Sequence, residues 1–420
     1  MERKEPVMAD NKGMEYLRRK LLMKQGRVET RYKYYEMKNK ARDFGISTPP
    51  NMQLWNSTLG WCAKAVDSLS DRLSFREFRN DVFNLNEIFA MNNPDVFFDS
   101  AILSALIGSC SFVYISPDED GYPRLQVIDG ANATGRIDEI TGLLTEGYAV
   151  LQRDQDTRRP TIEAHFEPFY TTIYRRGEEP EVYEHNVEHP LLVPIIYRPD
   201  AKRPFGHSRI SRSAMSLVGS ALRTIKRAEV SAEFYSYPQK YAVGMSDDAE
   251  MADRWKASMS SMLTITKDED NDHPVVGQFQ QQSMTPHTEQ LKMFAALFGG
   301  EMGLTMDDLG FPSDNPSSSE AIKAAHETLR ATARKAQKKF GSGFLNVGYL
   351  AACLRDDWQY SRRQFYMTKP IWEQLFEPDM SQLSLIGDGA IKVNQAVPGY
   401  FGNTNLRDLT GIESEDDTNE

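Results

Sequence analysis

The sequence predicts an α+β chain, and three observations carry this. Up to Gly108 apolar residues recur at helical spacing. From Ser111 to Tyr197 the apolar runs become short and are separated by turn residues. From Ser208 onward long helical periods return. Helices, then a group of strands, then helices again is the order of an α+β protein. With 420 residues, 40% apolar and 26% charged, the chain has length for two or three units and the composition to bury a core.

Residues 1–45 are basic, with thirteen Lys/Arg against seven Asp/Glu. Leu17, Leu21 and Leu22 predict one amphipathic helix and Tyr32 to Arg42 a second, read as a solvated arm or, alternatively, a basic arm that touches nucleic acid. Residues 55–90 read as helix with a break near Phe75, and Asp95 to Leu106 as a helix running into Gly108. Strands follow at Ser111–Ile115 and Arg124–Ile128, joined by the turn chemistry of Asp118-Glu119-Asp120-Gly121. Further strands are expected at Leu144–Gln152, Thr161–Phe166, Tyr170–Tyr174 and Leu191–Tyr197.

Ser208 to Tyr237 holds no proline, and its apolar residues keep helical spacing, which predicts a helix of roughly 30 residues, about 45 Å long. Pro238 ends it. A small α/β unit is expected next: strand Lys240–Gly244, helix Asp247–Met259, and strands Met262–Thr266 and Val275–Phe279. A second long helix runs from Pro286 and weakens at Gly299-Gly300. After a breaker-rich stretch, Asp307 to Ser317, a third begins at Ser317 or Ser318, reaches Phe340, and resumes after Gly341-Ser342-Gly343 to Leu354. The last nine residues carry five acids and no base, the composition of a disordered tail.

The formal charge of −11 (49 − 60) argues against a protein that coats nucleic acid, though not against one past which DNA slides. Cys62, Cys110 and Cys353 are odd in number and far apart, which argues against a disulfide framework or structural zinc and fits synthesis in a reducing cytoplasm. The longest apolar stretch, Ala101 to Ile115, is too short and polar to span a bilayer, and the charged N-terminus is no secretion signal. There is no GxxxxGK[ST], so no nucleotide-driven motor chemistry is expected. His185-Asn186-Val187-Glu188-His189 fits the HxxEH of inverted zinc proteases. That chemistry needs a helix to bring both histidines to one face, and Pro180 and Pro190 oppose one, so a polar connection between strands is the preferred reading.

On the third long helix Ile322, Leu329, Ala333, Ala336, Phe340 and Val347 line one side. Lys323, Arg330, Arg334 and Lys338 fall opposite, within about 80° at 100° per residue. A solvated basic face explains this, as does a stripe that meets phosphates without reading bases. Arg209, Arg212, Arg223 and Arg227 cluster similarly on the first long helix.

The order of these elements resembles the portal proteins of tailed phages, particularly siphophages of Gram-positive hosts. Asn56 to Leu73, Leu106 to Gln126, Leu192 to Ile210, Glu229 to Gly244 and Leu309 to Ala325 are similar in wording to portal segments, and the resemblance covers roughly residues 50–355. It implies an N-terminal arm and α+β wing (1–205), a first stem helix (206–237), an α/β clip (238–283), and a second stem helix (284–306). A tunnel loop (307–317), a long helix returning to the wing (318–375), and a short crown with an acidic tail (376–420) complete it. It also implies a non-enzymatic subunit without cofactor or metal, in a dodecameric ring at one capsid vertex of the virion. Its partners would be viral double-stranded DNA, the terminase large subunit, the major capsid protein and scaffold, and a head–tail adaptor.

Under that resemblance Asp314, Asn315 and Ser317 of the tunnel loop join Lys323, Arg330, Arg334 and Lys338 as candidates to face the DNA channel. The loop has no Lys or Arg between Asp307 and Ile322, against a direct phosphate grip there. Tyr241, Val243, Trp255, Met259, Leu263, Ile265, Val275, Val276 and Phe279 are the expected clip and inter-subunit contacts. The clip strands, too few and short to stand alone, should pair with those of a neighbour. The long helices, with little core of their own in one chain, should be completed by adjacent subunits. The alternatives are another head-completion protein of the virion, or a zinc hydrolase using His185, Glu188 and His189.

Overall fold

A computed structural model of the chain describes residues 12–40, 56–236, 240–243, 275–278, 283–312, 323–375 and 380–410. The chain divides into two units. One comprises Met1–Asn39, Thr58–Val218 and Ala296–Glu420; the other comprises Lys40–Ser57 and Gly219–Ala295.

The first unit opens with α1 (Met14–Tyr35), one helix where the sequence suggested two. It is not a solvated arm. Leu17, Leu21 and Val28 are buried, while Leu22 is exposed. Its start is fixed by Glu146, a fully buried carboxylate that accepts the backbone N–H groups of Gly13 (2.9 Å) and Lys12 (3.2 Å) and bonds His165 Nε2 at 3.0 Å. A carboxylate at a helix N-terminus satisfies donors that the helix leaves open and suits its dipole.

Then come α2 (Trp61–Ser70), β1 (Phe75–Arg79), α3 (Leu85–Ala90) and α4 (Pro94–Gly108). The expected break at Phe75 is thus a strand between helices. Nothing adjacent announced it, because β1 pairs antiparallel with β12 (Lys369–Trp372), almost three hundred residues on. Phe75 stacks on Phe98 with centroids 4.2 Å apart, and Phe98 meets Phe344 edge-on at 4.8 Å.

The strands form two further sheets. β2 (Cys110–Pro117) is flanked by β3 (Pro123–Asp129) and β9 (Leu192–Ile196). The β2–β3 turn is held as its sequence suggested: Asp118 Oδ1 accepts from Tyr122 N at 2.7 Å, and Gly121 takes φ 82°. The larger sheet has the order β4 (Ala133–Ile137), β5 (Leu144–Arg153), β6 (Pro160–Glu167), β7 (Tyr170–Arg175), β8 (Glu181–Glu184). β4 and β8 were not expected. In β4, Gly135 sits opposite Gly147, where a Cβ would come within 2.6 Å of Glu146 O. β8 is an exposed edge without an apolar face.

The long helices are α5 (Arg212–Ser236), α6 (Thr285–Met302) and α7 (Glu327–Arg355), the last preceded by a helical turn at 323–325. α5 starts later than expected, so Arg209 is not on its charged stripe. Arg209 is buried and donates to the carbonyls of Ala65 (3.3 Å) and Met302, tying α2 to the end of α6. α6 runs unbroken through Gly299-Gly300. A Cβ at Gly299 would meet Leu304 O at 2.9 Å, so the close return of the chain needs that glycine.

α7 likewise continues through Gly341-Ser342-Gly343. Cβ atoms would come within 2.6 Å of Pro370 at Gly341, 2.9 Å of Ile195 at Gly343 and 2.9 Å of Leu85 at Gly348. The glycines cost helix propensity of about 1 kcal/mol each, but they let β12, β9 and α3 approach the helix axis. Consequently Phe340, Phe344, Val347, Leu350, Ala351 and Ala352 are wholly buried. This corrects the view that the long helices lack a core in one chain: the second half of α7 is the centre of one.

The three cysteines are free and buried; burial pushes the thiol of Cys62 up to about 12 and that of Cys353 to about 11. Beyond β12 lie α8 (Met380–Ala396) and α9 (Asn403–Thr410), the latter tied to β1 by Arg407 Nη2–Glu77 Oε1 at 2.8 Å.

In the second unit, Thr224 of α5 bonds Gln290 of α6 at 3.1 Å, and Ser57 bonds Glu229 at 2.7 Å. β10 (Lys240–Val243) pairs antiparallel with β11 (Val275–Gln278).

Candidate nucleic-acid interface

The cationic stripe expected on the third long helix maps to the first half of α7. Leu329, Ala333, Ala336 and Phe340 are buried on one side. Arg334 and Lys338 are exposed opposite them, with Lys323 and Arg330 partly exposed. Lys335 and Lys339, also exposed, widen the stripe and were overlooked. They sit one residue past Arg334 and Lys338, about 100° around the helix, outside the arc of about 80° that holds the other four cations.

Not every cation is equally available. Arg330 Nε pairs with Glu327 Oε2 at 2.6 Å, which raises the arginine and lowers the carboxylate from their usual ranges. Arg334 and Lys338 therefore carry more of the outward positive field than Arg330 does.

The segment leading toward the stripe is ordered by its own side chains. Asp308 Oδ2 accepts from both Thr305 N (2.9 Å) and Thr305 Oγ1 (2.8 Å), and Gly310 takes φ 87°. Leu309 is buried. Gly303 approaches Thr328 so closely that a Cβ would lie 3.0 Å from its Cγ2. The start of α7 is thereby held against the end of α6. Asp314, Asn315 and Ser317 lie outside the described residues.

Of the expected clip contacts, Trp255, Met259, Leu263, Ile265 and Phe279 also lie outside them. Tyr241 and Val243 are on β10, Val275 and Val276 on β11. Their register sets Val243 opposite Val275, Ala242 opposite Val276, and Tyr241 opposite Gly277. These strands thus pair with each other within one chain.

The HxxEH stretch is not helical. His185 follows β8 directly, and its Nε2 lies 3.4 Å from Thr171 Oγ1. His189 meets the ring of Tyr349 edge-on at 6.5 Å, while Glu188 points to an exposed position. Desolvation lowers His185 to about 4 and also lowers His189, so both are neutral: His185 packs beside β7, and His189 meets α7 at Tyr349. Among the described residues no group of His, Cys, Asp and Glu is arranged to hold a metal ion, and no helix is long and apolar enough to cross a membrane.

The sequence profile described as "Phage portal protein, SPP1 Gp6-like" matches residues 15–382. The portal protein of Mycobacterium phage L5 is 23% identical over 334 residues, covering 74% of this chain and 68% of that protein. The portal protein of Mycobacterium phage D29 is 24% identical over 341 residues, covering 76% and 69%. Among solved structures, a chain from "Neck of native GTA particle computed with C12 symmetry" aligns with a TM-score of 0.47 at 12% identity, covering 92% of this chain and 99% of that one. A chain from "Virion of native gene transfer agent (GTA) particle" aligns at 0.43 with 12% identity and the same coverage. The profile match spans far more than half of the chain, from α1 into α8, and on that ground the chain belongs to the SPP1 Gp6-like family of phage portal proteins.

Proposed function

We propose that this chain is the structural subunit of a dodecameric ring at one capsid vertex, through which double-stranded DNA enters and leaves the particle. The observation that carries the reading is the family match across residues 15–382. The first unit, through β9, serves as wing; α5 and α6 form the stem; residues 238–283 are the clip; residues 307–317 are the tunnel loop; α8 and α9 make a short crown. The clip meets the terminase large subunit during packaging and a head–tail adaptor afterwards. The wing faces the major capsid protein and scaffold. Translocation energy comes from the terminase, since this chain lacks a phosphate-cradling loop.

Charge supports sliding rather than gripping. Twelve copies carry 12 × (−11) = −132 formal charges. Such a ring repels DNA overall, and the cations of α7 are a local exception that holds phosphates without reading bases. Negative-stain microscopy of the purified protein tests the reading: rings with a central hole are expected. A monodisperse monomer across a wide range of concentration and salt would overturn it. No stoichiometric zinc and no hydrolysis are expected; about one tightly held zinc per chain, lost on His189→Ala, would favour an enzyme instead.

The clip assignment has its own test. Deleting Met245 to Asp272 should leave the first unit folded, as read by circular dichroism, while abolishing ring closure or DNA packaging in vitro. Rings of that variant that still package DNA would sink the assignment.

A further inference from the structure

A concave surface in the first unit is not used by the reading above. It lies between α1 and the β5–β6–β7 face and encloses about 520 Å³. Leu21, Tyr148 and Val150 form its apolar floor. Five arginines line it, Arg18, Arg153, Arg159, Arg175 and Arg176, against one carboxylate, Glu163. This is a concentrated positive site on a chain whose total charge is −11.

The carboxylates nearby neutralise only part of it. Glu163 pairs with Arg18 at 2.8 Å, and Glu181 pairs with Arg175 at 2.5 Å. Arg153 donates to neutral oxygens, Asn132 Oδ1 at 2.8 Å and Arg158 O at 3.1 Å. Arg159 and Arg176 are exposed at the rim. Asp154 also interacts with Arg176. Arg153 and Arg159, with Arg176 shared, thus remain to meet an anionic occupant above an apolar floor. A space of this size takes a few peptide residues rather than a duplex.

Magnitudes decide where such an occupant comes from. An exposed arginine–carboxylate pair contributes about 0–1 kcal/mol, so three give a free acidic peptide roughly millimolar affinity at best. A segment tethered to the same molecule has an effective concentration of about that order and occupies the site about half of the time without a stronger contact. The chain carries such a segment: Ile412 to Glu420 holds five acids and no base, with Ile412 as its one large apolar side chain. The ten residues after Thr410 span up to about 33 Å when extended. We propose that the arginine-lined groove is the docking site of the chain's own acidic C-terminal segment, with Ile412 on the floor and the carboxylates on Arg153, Arg159 and Arg176. The proposal goes beyond the portal reading and does not depend on it.

The test uses the full chain. A tail-neutralised variant carries Glu413→Gln, Glu415→Gln, Asp416→Asn, Asp417→Asn and Glu420→Gln. A fluorescein-labelled peptide of residues 409–420 is titrated with each protein at low salt and followed by anisotropy. The neutralised variant should bind the peptide, and the unmodified chain should bind it about two-fold more weakly because its own tail competes. Adding Arg159→Glu and Arg176→Glu to the neutralised variant should abolish binding; the milder Arg159→Gln and Arg176→Gln pair should weaken it. Equal binding by unmodified and neutralised chains would overturn the proposal, as would binding indifferent to either arginine pair. Loss through those arginines of a labelled DNA duplex, with no peptide binding, would assign the groove to DNA instead and overturn it too.

Discussion

The two halves of α7 are one continuous helix and obey different rules. From Glu327 to Lys339 it buries a single stripe and turns charge outward. From Phe340 to Cys353 every residue but Ser342 is buried. The first half follows the ordinary logic of an amphipathic surface helix, in which the apolar stripe fixes position and the outer face is free to vary. The second is a core helix whose glycines set how near its neighbours come. The lesson is that a helix can carry both a surface function and the centre of a core, provided that the change occurs along its length rather than around it.

Substitutions in the two halves should therefore differ most. Phe344→Ala removes a ring that touches Phe75, Phe97, Phe98 and Trp372, and should cost about 3–5 kcal/mol. Urea denaturation of the isolated protein measures it; a loss below about 1 kcal/mol would break the claim that this half is a core.

A smaller effect sharpens the role of the glycines. Gly341→Ala drives a methyl into the Pro370 ring and should destabilise, by about 1–2 kcal/mol, although alanine is the better helix former. Gly300→Ala in α6, where nothing lies within 4 Å, should stabilise by about 0.5–1 kcal/mol. Equal effects at both sites would show that helix propensity alone decides.

Acid should loosen the buried half first. His189, which meets Tyr349 of that half, and His185, four residues before it, are held neutral by burial, His185 with its value lowered to about 4. The unfolded histidine titrates near 6.5, so between these values the unfolded state binds the extra proton. The stability is fully present above about pH 6.5 and falls as the pH drops toward 4, on the order of 1 kcal/mol once partial exposure is allowed for. A His185→Gln variant should lose that part of the pH dependence in thermal melts from pH 7 to pH 4.

The smallest effect on stability belongs to the exposed half. Arg334→Gln with Lys338→Gln should change folding by no more than about 0.5 kcal/mol. If this face meets phosphates, the same pair should reduce by about two the slope of log affinity against log salt for DNA. An unchanged slope with unchanged packaging would return the stripe to a solvated surface.

The strands and turns were legible where local chemistry decides them: the Asp118–Gly121 turn, the short apolar runs of β5 and β6, and the apolar stripe of α7. What the sequence hid depends on partners far along the chain. Phe75 looked like a break because its partner, Trp372, is distant. Gly299, Gly341 and Gly343 looked like weak points because only packing shows what they admit. Arg209 looked like a surface cation because the carbonyls of Ala65 and Met302 that hold it come from other elements. At the candidate site, Arg334 and Lys338 were recoverable from periodicity, and the pairing of Arg330 with Glu327 was readable at i, i+3 spacing. The arginine groove was not, because it gathers α1 and two hairpins whose arginines show no common period.

The β1–β12 pair also sets a clock. Phe75 waits for Trp372, which leaves the ribosome 297 residues later, roughly 15–60 s at bacterial synthesis rates. Throughout that interval the rings around Phe75 lack one wall, and the aromatic core that they share with Phe344 is unfinished. Closure of this core is therefore an event that follows synthesis of residue 372, long after the strands between are made.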